Sequence, residues 1–222
     1  MKAVVLGAGP SGMSLAWFLS QRNWKIKLIE KQSFVGGLGS SKKKIVEGKN
    51  IYLDSGPHIF HTKDKEMIDI WKTHFSEIFE EKILYAANCK GRDFEQFHDY
   101  PISKEGLRKQ NIKFSNINNS INSFKFSNYR EYMKSRVGPI IEKEYFRKYP
   151  KKLWGINTNI MRADWAPKRI EVREKIEPFF INQWVATSKF GSGFIYEEMK
   201  KSIIKNSGQI FLNTNIQKIN IE

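Results

Sequence analysis

The sequence predicts an α/β nucleotide-binding fold interrupted by an inserted α+β domain, and three observations lead there. The apolar run Ala3-Val4-Val5-Leu6 passes directly into the loop Gly7-Ala8-Gly9-Pro10-Ser11-Gly12. Met13 to Leu19 then carries apolar residues at helical spacing. Ile26-Lys27-Leu28-Ile29 reads as a second buried strand and ends in an acid, Glu30. Strand, glycine turn, helix, strand and acid come in the order that a dinucleotide-binding unit requires.

Each part of the loop has a physical task. Gly7 permits a tight turn, Gly9 lets the backbone approach a pyrophosphate, and Gly12 lets the helix lie close to the sheet. The N–H groups that open the helix, that of Ser11 among them, have no intrahelical partner and face a bound anion with the dipole behind them. Pro10 suits the first turn, where a missing N–H costs nothing. Glu30, eighteen positions after Gly12, is placed to accept hydrogen bonds from an adenosine ribose. The loop alone does not separate FAD from NAD.

After Lys31 comes Phe34-Val35-Gly36-Gly37-Leu38-Gly39, where adjacent glycines let the backbone run beside a long cofactor without side-chain clashes. This step resembles the Gly-Gly that follows the acid in flavoproteins of the amine-oxidase type. It implies FAD, with Lys31, Gly36, Gly37 and Leu38 among the cofactor contacts. Lys44 to Asp54 reads as a hairpin that turns at Glu47-Gly48-Lys49-Asn50.

The hairpin leads into Asp54-Ser55-Gly56-Pro57-His58-Ile59-Phe60-His61-Thr62. Gly-Pro-His-Ile-Phe-His-Thr resembles the flavin-side loop of UDP-galactopyranose mutases and of their protoporphyrinogen oxidase-like and amine oxidase-like relatives. The resemblance implies Pro57 and His58 at the isoalloxazine ring and His61 nearby, toward the substrate. From spacing alone the two histidines could be half a metal site, but no Cys or carboxylate is spaced to complete it. Packing in a core is the plain alternative for both.

Thr62 is placed to cap a helix with Asp64 and Glu66 in its first turn, and Met67, Ile68, Ile70, Trp71, Phe75, Ile78 and Phe79 form its apolar stripe. Ile83 to Ala87 and Phe94 to Tyr100 read as strands, followed by a broken pattern from Lys104 to Asn128. Val137-Gly138-Pro139 starts a helix through Ile141 and Phe146. Tyr149 to Gly155 and Ala163 to Ile170 resemble the Tyr-x-x-Lys-x-Trp-Gly and Ala-Asp-Trp-Ala-x-x-Arg-Ile steps of the same relatives. The resemblance implies Trp154 beside the substrate pocket and Arg169 on a diphosphate, for which a planar guanidinium is suited. A core Trp and a surface Arg remain the alternative. Lys189 to Phe194 leads into a helix over Ile195 to Ile204, and Ile210 to Leu212 and Ile216 to Ile219 read as returning strands. The resemblance implies that Ile216 touches the adenine through its backbone.

The expected layout is a Rossmann-like FAD-binding domain of the amine-oxidase type in two segments, 1–62 and 185–222, around a substrate domain at 63–184. The relatives continue well past this point, so the fold is expected to be incomplete at its C-terminus, with an open sheet edge. A second chain could complete it. The implied activity is FAD-dependent oxidation, with hydride passing from a small-molecule substrate to the flavin. The alternatives are a mutase-like isomerase acting on a UDP-sugar and an inactive or split fragment that binds a partner chain.

A formal net charge of +15 opens the question of polyanion binding. The basic residues are scattered, with Lys42-Lys43-Lys44 the densest cluster, and no nucleic-acid-reading pattern accompanies them. Nucleic acid is therefore not an expected partner, whereas a nucleotide sugar or another anionic ligand suits the charge. The single cysteine, Cys89, excludes an internal disulfide. With no apolar run of membrane length and no signal-peptide pattern, the expected location is the cytoplasm.

Overall fold

The computed structural model describes residues 1–56, 58–89, 97–114, 117–164 and 171–219; for 87–89 and 97–98 it describes the backbone. The chain forms two units, Met1–Lys82 with Asn182–Glu222, and Ile83–Ile181. The first unit begins with β1 (Lys2–Leu6), α1 (Pro10–Ser20), β2 (Lys25–Ile29) and the hairpin β3 (Ser41–Val46) and β4 (Lys49–Asp54). It continues through β5 (Phe60–Thr62), α2 (Lys65–Phe75) and β6 (Phe79–Glu81). The second unit holds β7 (Ala86–Cys89), β8 (Phe97–Tyr100), α3 (Lys104–Lys109), α4 (Tyr129–Val137), α5 (Pro139–Ile141), a π-helical turn (Glu142–Phe146) and α6 (Lys148–Trp154). The chain then returns through β9 (Trp184–Ser188), α7 (Phe194–Lys205) and β10 (Gln209–Phe211).

In the first unit β1, β2 and β10 form a parallel sheet in that order, with Val5 and Ile210 both opposite Leu28. Alternation along the strands turns Val5, Ile26 and Leu28 into a core with Met13, Ala16 and Trp17 of α1 and Ile195, Met199 and Ile203 of α7. Val4 and Leu6 alternate to the other side, 61% and 46% exposed, and β1 is an edge strand of this sheet. A second sheet, antiparallel, has the order β5-β9-β6. Aromatic rings fill the space beside it: Trp71 lies 5.2 Å from Trp184, and Phe60 lies 4.8 Å from Phe79.

Five sequence expectations differ from the structure. The first unit extends to Lys82, not to residue 62, because Phe75, Ile78 and Phe79 share the core that holds Trp17. The return begins at Asn182, not 185, since Trp184 packs on Trp71. The strand expected from Ile83 begins at Ala86, and the one expected at Ile216 to Ile219 does not form. There, Asn213 and Thr214 donate their N–H groups to Gln32 and Glu30 carbonyls (3.0 and 2.9 Å), which takes the chain off the ladder. Finally, Asp64 rather than Thr62 caps α2: its carboxylate accepts from the Met67 N–H at 3.1 Å, while Thr62 Oγ1 accepts from the Asp64 N–H. Asp64→Ala should therefore cost about 1 kcal/mol in urea denaturation, and Thr62→Ala less.

The second unit has its own core, built on Tyr129, Tyr132, Met133, Val137 and Ile141 with Ile102, Leu107 and Val172. Asn128 caps α4 by accepting from the Glu131 N–H at 3.0 Å. Buried Arg136 is satisfied by the Tyr132 hydroxyl at 2.9 Å and by Asn119 Oδ1 at 3.0 and 3.2 Å. Gly138 ends α4 and Pro139 restarts the helical run; the π-helical turn beyond it carries Glu142, fully buried and bonded to Arg147.

Candidate functional site

The glycine loop is drawn tight at both ends. Gly7 N–H donates to the Ile29 carbonyl at 2.8 Å, and the first helical bond runs from Met13 N–H to Gly9 O at 2.9 Å. The N–H groups of Ser11 and Gly12 lie ahead of that bond, at the positive end of α1. A Cβ on Gly12 would sit 2.0 Å from the Gly7 oxygen, so the protein's own packing demands glycine there. A Cβ on Gly9 would meet no protein atom within 4 Å. Packing does not explain that glycine, whereas close approach of a ligand would.

Glu30 is held beside this loop. Its Oε2 accepts from the Ala8 N–H at 2.6 Å and its Oε1 from the Gln32 N–H at 2.8 Å. Burial opposes ionisation of this carboxyl, but the hydrogen bonds from Ala8, Gln32 and Lys31 backbone N–H groups and the Lys31 charge outweigh it. The net shift is below the usual carboxylate value, so the group is an anion at neutral pH with lone pairs left to accept further hydrogen bonds.

The second glycine loop closes onto the first. Gly36 N–H donates to Ala8 O at 2.7 Å, and a Cβ on Gly37 would come within 3.2 Å of Gly9 Cα. Added Cβ atoms on Gly36 and Gly39 would lie 2.7 and 2.8 Å from the Tyr196 ring. Tyr196, in the first turn of α7, is thus a determinant of this loop that sequence reasoning missed. Its only signal was an aromatic residue three places after Gly193. Lys31 is exposed and the Leu38 side chain is 82% exposed.

His58 joins the assembly through the loop between β9 and α7. Its Nδ1 lies 3.3 Å from Ser192 Oγ, and Ser192 Oγ donates to Gly39 O at 3.1 Å. Ser192 N–H donates to both oxygens of Asp54 at 3.1 and 3.2 Å, and Gly193 N–H donates to Ser41 Oγ at 2.7 Å. His61 is on β5 with Nδ1 3.0 Å from Gln183 Oε1, so the two histidines take different partners. Among the described residues no cluster of three or more His, Cys, Asp or Glu could hold a metal. Trp154 ends α6 in the second unit and is 56% exposed. Ile216 is 39% exposed, in the stretch after the Thr214–Glu30 bond. Pro57 and Arg169 lie outside the described residues.

A model of the NAD(P)-binding Rossmann-like domain matches residues 5–73, all within the first unit. The dTDP-fucopyranose mutase of Escherichia coli is 28% identical over 183 residues, covering 78% of this chain and 46% of that protein. The neurosporene-forming phytoene desaturase of Cereibacter sphaeroides is 36% identical over 72 residues, 32% of this chain and 13% of that protein. Among solved structures, reduced UDP-galactopyranose mutase superposes with a TM-score of 0.64 at 18% identity, over 95% of this chain and 48% of that one. A putative protoporphyrinogen oxidase from Exiguobacterium sp. superposes with a TM-score of 0.55 at 16% identity, over 100% of this chain and 54% of that one. The chain shares the fold of these two proteins. The chain spans about half the length of the two mutases, 46% of one and 48% of the other. No helix among its described residues is long and apolar enough to cross a membrane.

Proposed function

We propose that this chain is the nucleotide-binding part of a flavoenzyme that holds FAD and rearranges a nucleotide-linked sugar, as a pyranose mutase does. One observation carries the choice of substrate class. Similarity to the fucopyranose mutase runs over 183 residues, more than the first unit contains, whereas similarity to the desaturase stops at 72. Similarity to a mutase therefore continues into the second unit.

The fit to FAD rests on the chain's own groups. The uncovered Gly9, with the Ser11 and Gly12 N–H groups beyond it, accepts a pyrophosphate. Glu30 accepts the ribose hydroxyls, and the Thr214 bond keeps the stretch leading to Ile216 beside it, for backbone contact with the adenine. Gly36, Gly37 and Leu38 flank the dinucleotide. His58 faces the ring, with Pro57 before it. His61, Trp154 and Arg169 are assigned to the substrate, Arg169 as the diphosphate clamp. The flavin supplies the redox or nucleophilic chemistry, and the protein supplies orientation and charge.

A second reading is FAD-dependent oxidation of the amine-oxidase or protoporphyrinogen-oxidase type, favoured by the resemblance of Ala163 to Ile170 to that branch. The test starts with a visible spectrum of the purified chain and chromatography of the released flavin. Bound FAD is expected, followed by pyranose-to-furanose conversion of dTDP-fucose or UDP-galactose that requires prior reduction of the flavin. Turnover that needs oxidised flavin and consumes an acceptor would select the oxidase. A chain that stays colourless in excess FAD would overturn the cofactor assignment.

A further inference from the structure

We propose that Ser192 is a positioning residue that fixes His58 as the Nδ1–H tautomer and leaves its Nε2 as a bare acceptor. The proposal rests on the reading above only for what His58 faces. The hydrogen-bond pattern itself is independent of FAD.

The loop that carries Ser192 has little freedom. A Cβ on Gly193 would lie 2.3 Å from Ser41 N, so the backbone is already pressed onto the start of β3. The Gly193 N–H to Ser41 Oγ bond, at 2.7 Å, ties it there, and Ser41 in turn donates to Asp54. Asp54 also receives the Ser192 N–H on both of its oxygens, at 3.1 and 3.2 Å. Ser192 is 3% exposed, so its hydroxyl must find partners within the protein.

A serine hydroxyl has one proton and two lone pairs. That proton goes to the Gly39 carbonyl at 3.1 Å, which can only accept. Only lone pairs remain for His58, so the bond at 3.3 Å requires the proton to sit on His58 Nδ1. A neutral imidazole in water prefers its proton on Nε2. Ser192 reverses that preference and turns Nε2 into an acceptor, able to take a hydrogen bond from a donor on the cofactor or substrate. Gly39 belongs to the second glycine loop, so one buried hydroxyl links the orientation of His58 to the loop packed on Gly9 and Tyr196.

The experiment is long-range ¹H–¹⁵N spectroscopy of the histidine side chains at a pH where they are neutral, without added flavin. His58→Gln assigns the resonances among the four histidines. In the unaltered chain, His58 Nδ1 is expected in the protonated, pyrrole-type range and Nε2 in the bare, pyridine-type range. In Ser192→Ala the two should exchange, because the backbone bonds to Asp54 survive while the acceptor is gone. Ser192→Thr should restore the original pattern. An Nε2–H resonance for His58 in the unaltered chain would overturn the proposal, whatever the variants do. So would an unchanged tautomer in a folded Ser192→Ala. Failure to bind FAD would count against the proposed function and leave the tautomer result standing.

Discussion

Gly12→Ala should cost the first unit about 3 kcal/mol or more, while Gly9→Ala, three positions earlier, should leave its stability within about 0.5 kcal/mol. The two glycines belong to one loop but answer to different neighbours. The methyl group at Gly12 would be driven to 2.0 Å from the Gly7 oxygen, and the Gly7 peptide cannot yield. Its N–H, that of Ala8, is bonded to Glu30, and the Gly7 N–H just before it to Ile29 in β2, so moving it breaks the joint between the sheet and α1. At Gly9 the methyl meets no protein atom and points at whatever the loop binds. Urea denaturation measures the first effect. Flavin titration measures the second, where Gly9→Ala should weaken FAD binding at least about tenfold, or ~1.4 kcal/mol. If Gly9→Ala destabilised the chain as much as Gly12→Ala does, both glycines would be packing residues and the cradle would lose its support.

In the second unit, Arg147→Ala should cost about 3–5 kcal/mol and Glu142→Gln only about 1–2 kcal/mol, although the two residues form one ion pair. The asymmetry follows from burial: the Glu142 side chain is 0% exposed and that of Arg147 is 34% exposed. Removing the arginine strands a carboxylate with no water to turn to. Neutralising the glutamate leaves a guanidinium that rotates into solvent. Denaturation of both single variants and the double variant closes the cycle, and the double variant should be more stable than Arg147→Ala alone. Equal costs for the two single changes would show that burial does not decide the matter.

How much the sequence disclosed depended on the distance between partners. The β1–loop–α1–β2 unit was legible because its logic is local: turn chemistry, helical spacing and an acid at the right remove. The Gly36-Gly37 step was visible as a pair of adjacent glycines, but its packing neighbour was hidden, since Tyr196 lies far along the chain and meets the loop only after α7 docks. Phe75 announced that it was buried without saying in which core, so the expected domain boundary fell short of α2. Thr62 and Asp64 are both good capping residues two places apart, and only backbone geometry decides between them. The alternation at Ile216 to Ile219 gave a false strand because two N–H groups just upstream are taken by the loop after β2. Ser192 gave no sequence signal at all. Its partners Asp54 and His58 are 138 and 134 positions away.

The pairing of β10 with β2 sets the order in which this chain can fold. Gln209 lies opposite Lys27, so closing that ladder joins residues ~180 apart, at an entropic cost that grows with the logarithm of the span. The insert shortens the search. Glu81 is paired with Ala186, and Lys82 N–H donates to Val185 O at 3.0 Å, so the chain leaves and re-enters the first unit through neighbouring strands. Once residues 83–181 collapse on their own core, that neck can zip and deliver α7 and β10 to the waiting sheet. A ribosome releases β10 only after ~180 further residues have followed β2. The nucleotide-binding strands made first therefore wait for a partner made much later, and until then β2 has one side unpaired.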